Sequence, residues 1–236
     1  MNTQSKAADF DDFADDYSET INKVSKLSGE KFEYFVNLRV KMMKDRLVRY
    51  DALIEDGTIL DFGCGTGGTE TALIKAFPLA TIHAIDQSAE SIRIAQKRSL
   101  NNVSLCSYGG ARLPFADASF DLIYMNGVMH HVPLNERQSV LLELHRVLKR
   151  GGNLFVFENN PWNPLMLRAM ANNPMDAGVK AIRSLDICKL GHWSGFSIVE
   201  AWYYFFFPNF LRFLRRAEKK MGWLPVGAQY ATWMQK

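Results

Sequence analysis

An acid and four glycines follow one another closely after an apolar pair: Ile59 and Leu60, then Asp61, Gly63, Gly65, Gly67 and Gly68. Glycines at this spacing let main chain approach a ligand at the carboxyl end of a strand, and the start of the next helix collects free N–H groups there. The chemistry implied is a nucleotide-type pocket. Gly63, Gly65 and Gly68 also satisfy G-x-G-x-x-G, the dinucleotide fingerprint, and Asp86 lies near the distance expected of a ribose-binding acid. Asp61 separates the two readings. A carboxylate at the strand end repels a pyrophosphate and attracts a ligand that carries sulfonium and ammonium charge. Further on, His130, His131 and Glu158 are of types able to take or hold a proton.

These residues need elements to position them. An apolar run at 58–62 predicts a first strand, and a helix over 67–77 is stopped near Pro78. A second strand at 81–85 ends at Asp86. Ser88 is a helix N-cap with Glu90 behind it, and that helix runs to about Ser99. Strands follow at 103–107 and 120–125, then a helix over 135–149 whose Lys149-Arg-Gly-Gly152 reads as a basic, glycine-terminated end. Strand five is expected at 153–158. Apolar, β-branched runs alternating with helices imply a parallel sheet covered on both faces. Upstream, 30–50 reads as an amphipathic helix, and 1–16 as a polar arm with Asp9, Asp11, Asp12, Asp15 and Asp16 clustered. Downstream come a Pro/Asn-rich loop at 159–166, a helix near 184–191, an aromatic strand at 196–207, a basic amphipathic helix at 209–221 and a last strand at 228–235.

Composition sets bounds. A chain of 236 residues with 47% hydrophobic and 22% charged residues suits one α/β domain with additions. A net charge of +3 gives no ground for nucleic-acid binding. Cys64, Cys106 and Cys188 are too scattered for a zinc site and fit a reducing compartment, so no metal and a cytoplasmic location are expected. The first residues are polar, with no signal-peptide pattern, and no run of about 18 apolar residues suggests an integral membrane segment.

The pattern Asp61-x-Gly63-x-Gly65-x-Gly67 resembles motif I of the class I methyltransferases that use S-adenosylmethionine. Later segments match the same family in order: Asp86, the loop Gly109-Gly-Ala-Arg-Leu-Pro-Phe115, the stretch 120–132, and the helix and strand over 141–158. The resemblance covers about residues 57–158. It implies an α/β fold with a Rossmann-like seven-stranded sheet, mostly parallel with an antiparallel last strand and helices on both faces. It divides the chain into an N-terminal helical lid or arm at 1–50 and a methyltransferase domain at 51–236, with a cofactor-binding core at 57–158 and a substrate-side, sheet-completing part at 159–236. The cofactor residues it implies are Tyr17 in the lid, Asp61, Gly63, Gly65, Gly67, Asp86 for the ribose hydroxyls, Gln87 along the adenine, Gly110, Ala111 and Asn126. Two departures stand out. Gly109 occupies a position where an acid is usual, and Asn159 one where His is usual in the loop Phe157-Glu-Asn-Asn-Pro161.

Methyl transfer from a sulfonium is an in-line displacement, and a weakly acidic acceptor must also lose a proton. His131 matches the more regular family position and is the first candidate base; Glu158 is the second. Each has an equally simple structural role, in packing or in tethering the loop. Asn126 is not followed by the residues of the loop that methylates base amino groups, which disfavours a nucleic-acid substrate. The expected acceptor is a small molecule or a sugar- or lipid-linked group, with oxygen favoured. The aromatic and basic stretch 203–220 also admits peripheral membrane contact. Two other functions compete: a non-catalytic module that binds S-adenosylmethionine, and a nicotinamide-dependent dehydrogenase.

Overall fold

The computed structural model describes residues 17–236 together with Asp11 and Ala14. The rest of the acidic arm lies outside the described residues, as does the side chain of Tyr17, whose main chain opens the first described helix. Seven strands form one sheet: β1 Thr58–Phe62, β2 Thr81–Asp86, β3 Val103–Ser107, β4 Phe120–Asn126, β5 Leu148–Asn159, β6 Ser197–Tyr204 and β7 Gln229–Gln235. Their order across the sheet is β3-β2-β1-β4-β5-β7-β6. Strands β1 to β5 pair in parallel, while β7 runs antiparallel to both β5 and β6. This is the expected architecture, with β7 inserted between β5 and the edge strand β6.

Alternation along the strands builds two cores. Ile59, Leu122, Tyr124, Phe155, Phe157 and Trp233 face one side, where they meet Val36, Met43 and Leu47 of α2 (Phe32–Arg49) and Leu73 of α3 (Glu70–Ala76). Leu60, Ile123, Met125, Leu154, Val156 and Met234 face the other, against Leu141 and Leu144 of the helix Arg137–Val147 and Ile187 of the helix Ser184–Trp193. A period of two places successive residues on opposite faces, so each buried strand serves both layers. Full burial of one such aliphatic or aromatic side chain stabilises by roughly 1.5–3 kcal/mol. Trp233 Nε1 donates to Asn153 Oδ1 at 2.8 Å, which satisfies the one polar atom of the largest buried ring.

The remaining helices are α1 (Tyr17–Val24), before α2, and then α4 (Ala89–Gln96), α5 (Arg137–Val147), α6 (Pro164–Ala171), α7 (Ser184–Trp193) and α8 (Arg215–Glu218). Four boundaries differ clearly from the sequence expectations. Helix α3 starts only at Glu70, because the preceding glycine loop takes left-handed backbone at Gly63, Gly65 and Gly67. Helix α5 ends at Val147, and Lys149-Arg-Gly-Gly152 belongs to β5: Leu148 pairs with Phe120, and Lys149 Nζ reaches Asp121 at 2.7 Å, drawing the segment into the sheet. The basic helix at 209–221 is a 3₁₀ turn, Asn209–Leu214, followed by the short α8, with Leu211 off helical geometry between them. The aromatic strand stops at Tyr204, where Phe205 adopts a positive φ of 58°.

Candidate active site

A cavity of about 1100 Å³ opens at the carboxyl ends of β1, β2, β4 and β5, the place where parallel sheets bind ligands. Its floor is the loop after β1. Gly63 N and Cys64 N donate to Ile85 O at 2.8 and 3.0 Å, which pins that loop to the end of β2. Asp86 ends β2 and fastens the other side: Gly65 N donates to its Oδ2 at 2.8 Å and Ser88 N to its Oδ1 at 2.9 Å. Each carboxylate oxygen keeps a further lone pair for a ligand. Ser88 caps α4 as expected, accepting from Ser91 N at 2.9 Å, and its hydroxyl donates to Asp11 of the arm.

Gly63 and Gly65 do different work. A Cβ on Gly63 would overlap Val128 Cγ2, and its φ is 80°. A Cβ on Gly65, at φ 55°, would meet nothing within 4 Å, because the cavity lies above it. Gly63→Ala is therefore expected to lower stability by roughly 2 kcal/mol or more, read as a fall in melting temperature. Gly65→Ala is expected to cost only about 1 kcal/mol of stability, yet to weaken ligand binding at least about tenfold by filling the cradle. The two together separate the loop's fold role from its binding role.

Of the cofactor residues expected from sequence, Gly63, Gly65, Asp86, Gln87, Gly110, Ala111 and Asn126 line this cavity. Asp61 and Gly67 lie behind it: Asp61 is 2% exposed, and a Cβ on Gly67 would meet Ala95 Cβ at 2.9 Å. Beneath the loop, Asp61 gathers with Glu70 and Asp86. Burial, and then the negative charges of Glu70 and Asp86, hold the Asp61 carboxyl well above its ordinary range, against the pull of Arg39. Burial pushes Glu70 up to about 7. Burial also raises Asp86, tempered by the N–H groups of Ser88 and Gly65. Asp61 Oδ2 and both Glu70 carboxyl oxygens are buried with no hydrogen-bond partner. Asp61 and Glu70, two buried carboxyls short of compensation beside a glycine cradle, fit a ligand bearing positive charge and no phosphate, and oppose a pyrophosphate. S-adenosylmethionine, with its sulfonium and ammonium groups, meets that description.

A second cluster lies in the same cavity wall. His130 is buried, with Nδ1 2.6 Å from Glu158 Oε2 and Nε2 3.3 Å from Asp176 Oδ1. Glu158 Oε1 accepts from Met129 N at 2.7 Å, so both of its oxygens are engaged in holding the β4 loop and orienting His130. The contact with Met129 N is the one that the tethering role would need. His131 Nε2 lies 3.5 Å from the same Asp176 oxygen, and the two imidazole rings are 4.0 Å apart. Burial opposes a charge on His130, but Glu158 and Asp176 outweigh it and lift its pKa to about 10. Burial and the neighbouring His130 charge lower that of His131. The two carboxylates thus favour the protonated form of His130, while burial favours the neutral form of His131. His130, His131 and Asp176 also present one metal-ligating atom each, all within 4.8 Å of one another.

This arrangement makes stability depend on pH. The folded pKa of His130 is about 10, above the unfolded value of about 6.5, so its contribution is complete below about pH 6.5 and is lost as pH rises toward 10. The urea midpoint of the wild type should fall between pH 7 and pH 9.5. His130→Gln should be less stable at pH 7 and lose less over that interval.

Sequence reasoning missed two residues here. Arg39 of α2 is 4% exposed and lines the cavity, its Nε donating to Tyr124 Oη at 3.2 Å and its Nη1 to Gln229 Oε1 at 3.4 Å. Asp176 sits in a 3₁₀ turn 46 residues beyond His130. No local pattern announces either. Asn160 and Asn163 staple loops: Asn160 Nδ2 donates to Gly227 O at 2.7 Å and Asn163 Nδ2 to Val226 O at 2.8 Å.

The comparisons with known proteins support a class I, S-adenosylmethionine-dependent methyltransferase domain over the stretch that holds the glycine cradle and the acid cluster. Residues 59–152 match a family described as a methyltransferase domain. The chain is 29% identical over 180 residues to trans-aconitate 2-methyltransferase of Azoarcus sp., covering 74% of this chain and 64% of that protein. It is 35% identical over 133 residues to demethylmenaquinone methyltransferase of Staphylococcus aureus, covering 55% of this chain and 52% of that protein. The matches thus span between about half and two thirds of the curated relatives' length. Among solved structures, a SAM-dependent methyltransferase from Thermotoga maritima aligns over 97% of this chain and 99% of its own, with a TM-score of 0.67 at 20% identity. Another from Archaeoglobus fulgidus aligns over 84% and 94%, with a TM-score of 0.62 at 16% identity. At these identities the structures attest the fold.

Proposed function

We propose that the protein is an enzyme that transfers a methyl group from S-adenosylmethionine to an oxygen of a small-molecule or sugar- or lipid-linked acceptor. The carrying observation is the convergence, in one cavity, of a cradle suited to a cationic nucleotide and a neutral His131 beside a fixed His130–Glu158–Asp176 cluster. S-adenosylmethionine supplies an electrophilic methyl group when bound. The residues assigned to hold it are Gly63, Gly65, Asp86, Gln87, Gly110, Ala111 and Asn126 from the cavity wall, with Asp61 and Gly67 shaping the loop from behind and Tyr17 contributing from the arm.

His131 holds a lone pair at neutral pH and takes the acceptor's proton. His130, clamped between Glu158 and Asp176, holds the loop that carries His131 in place. The matched relatives are named for small-molecule acceptors, which supports that class over nucleic acid. Three free cysteines suit a reducing compartment, and a cytoplasmic location is assigned on that ground. Among the described residues, no helix is long and apolar enough to cross a membrane.

Calorimetric titration with S-adenosylmethionine and with NADH tests the first half. Saturable binding of the methyl donor alone is expected; saturable binding of NADH alone would replace the reading with a dehydrogenase. The second half is tested by release of S-adenosylhomocysteine in the presence of polar or lipid fractions of a cell extract. Donor binding without turnover in any fraction would leave a binding module.

A further inference from the structure

The mouth of the cavity is rimmed by side chains that an isolated aqueous protein has little reason to expose. Phe210 is 76% exposed and Leu165 64%, and both also line the cavity. Phe213, one 3₁₀ turn beyond Phe210, is 69% exposed, and Trp223 is 75% exposed. The hydrogen bonds from Asn160 and Asn163 to the 225–227 loop tie the segment bearing Trp223 to the segment that begins α6 and bears Leu165. Leu165 and Phe210 thus stand at the cavity itself, and Phe213 and Trp223 extend the exposed apolar surface along the segments that carry them.

The exposed charge on the segment that carries Phe210 and Phe213 has a single sign. Arg212, Arg216, Lys219 and Lys220 are exposed on the same segment. Its one acid, Glu218, is turned inward, where Oε1 accepts from Phe206 N and Phe207 N at 3.1 and 2.9 Å. The whole chain carries only +3, so this short segment concentrates positive charge beside exposed aromatics. Aromatic side chains that enter the headgroup boundary and cations that meet anionic headgroups are the two requirements for interfacial binding.

We infer that the cavity mouth docks on an anionic lipid surface and draws its acceptor from there, as an amphiphile whose reactive head enters the cavity past Phe210 and Leu165. The acceptor half of this inference rests on the methyl-transfer reading above; the docking half rests on the rim alone.

The test floats the full chain with vesicles of phosphatidylcholine, alone or mixed with phosphatidylglycerol, and measures S-adenosylmethionine binding on the same preparations. Two paired variants spare the cavity lining: Phe213→Ala with Trp223→Ala, and Arg216→Glu with Lys220→Glu. Flotation with the mixed vesicles is expected, at least about tenfold weaker with phosphatidylcholine alone and in either paired variant, with donor affinity unchanged. A chain that binds the donor but does not float overturns the docking. Flotation undiminished by loss of the aromatic pair overturns insertion, as does a vesicle-independent dimer that buries Trp223. A chain that floats but binds no donor overturns the acceptor half and leaves the docking standing.

Discussion

Replacing Asp86 by Ala is expected to weaken S-adenosylmethionine binding by roughly a hundredfold or more, since charge-assisted hydrogen bonds contribute about 1.5–3 kcal/mol each. Asp86 does two things at once. Its oxygens fasten Gly65 N and Ser88 N, and their remaining lone pairs face the cavity from the end of β2. Removing the carboxylate takes away the ligand's acceptors and loosens the loop beneath it. Calorimetry reads the affinity, and a melting curve reads the loop. Donor affinity within about threefold of wild type, in a variant that still melts cooperatively, would remove Asp86 from the binding site. Asp86→Asn is the companion. It keeps one acceptor oxygen but turns an amide NH₂ toward an N–H donor, so it should fall between wild type and Ala.

The second large effect concerns His131. His131→Gln should lower kcat by roughly 10²–10⁴-fold, the usual range for a positioned general base, while donor affinity and melting temperature stay close to wild type. The pH dependence carries a sign that can be checked. A base works when neutral, and burial lowers the pKa of His131 below its ordinary 6.5. The wild-type kcat/KM should therefore be flat through neutral pH and fall only as pH drops below about 6.5. In the variant, that acid limb should vanish. A loss of less than about tenfold, with the limb intact, would mean that alignment alone drives transfer to an acceptor already nucleophilic. His131 would then be a packing residue.

The pairing of a charged His130 with a neutral His131 depends on which side chains surround two adjacent residues of the same type. The sequence reading ranked His131 above His130 as a base from family position alone. In the structure His130 is wedged between Glu158 and Asp176, which favour its protonated form, while burial and its neighbour's charge favour the neutral form of His131. Glu158, a candidate base in the sequence, spends one oxygen on Met129 N and the other on His130.

What the sequence by itself determined is what local patterns encode. Apolar alternation placed all seven strands. The acid-and-glycine run after Leu60, and Asp86 at the next strand's end, marked the glycine loop, because left-handed turns and close backbone approach demand glycine at fixed spacing, while the ligand's name came from the family resemblance. Boundaries slipped where a tertiary partner overruled local preference. Lys149 is drawn into β5 by Asp121, and the basic segment after Pro208 breaks at Leu211 into a 3₁₀ turn and a short helix. Only the tertiary structure decided the rest. Asp61 went beneath the loop with Glu70 rather than into the cavity wall, Arg39 came in from a helix read as core cover, and Asp176 came from 46 residues away to share its oxygen between two histidines. The physical reason is common to all three. Charge and proton position depend on distances between side chains remote in sequence, and no pattern along the chain carries those distances until the sheet is assembled.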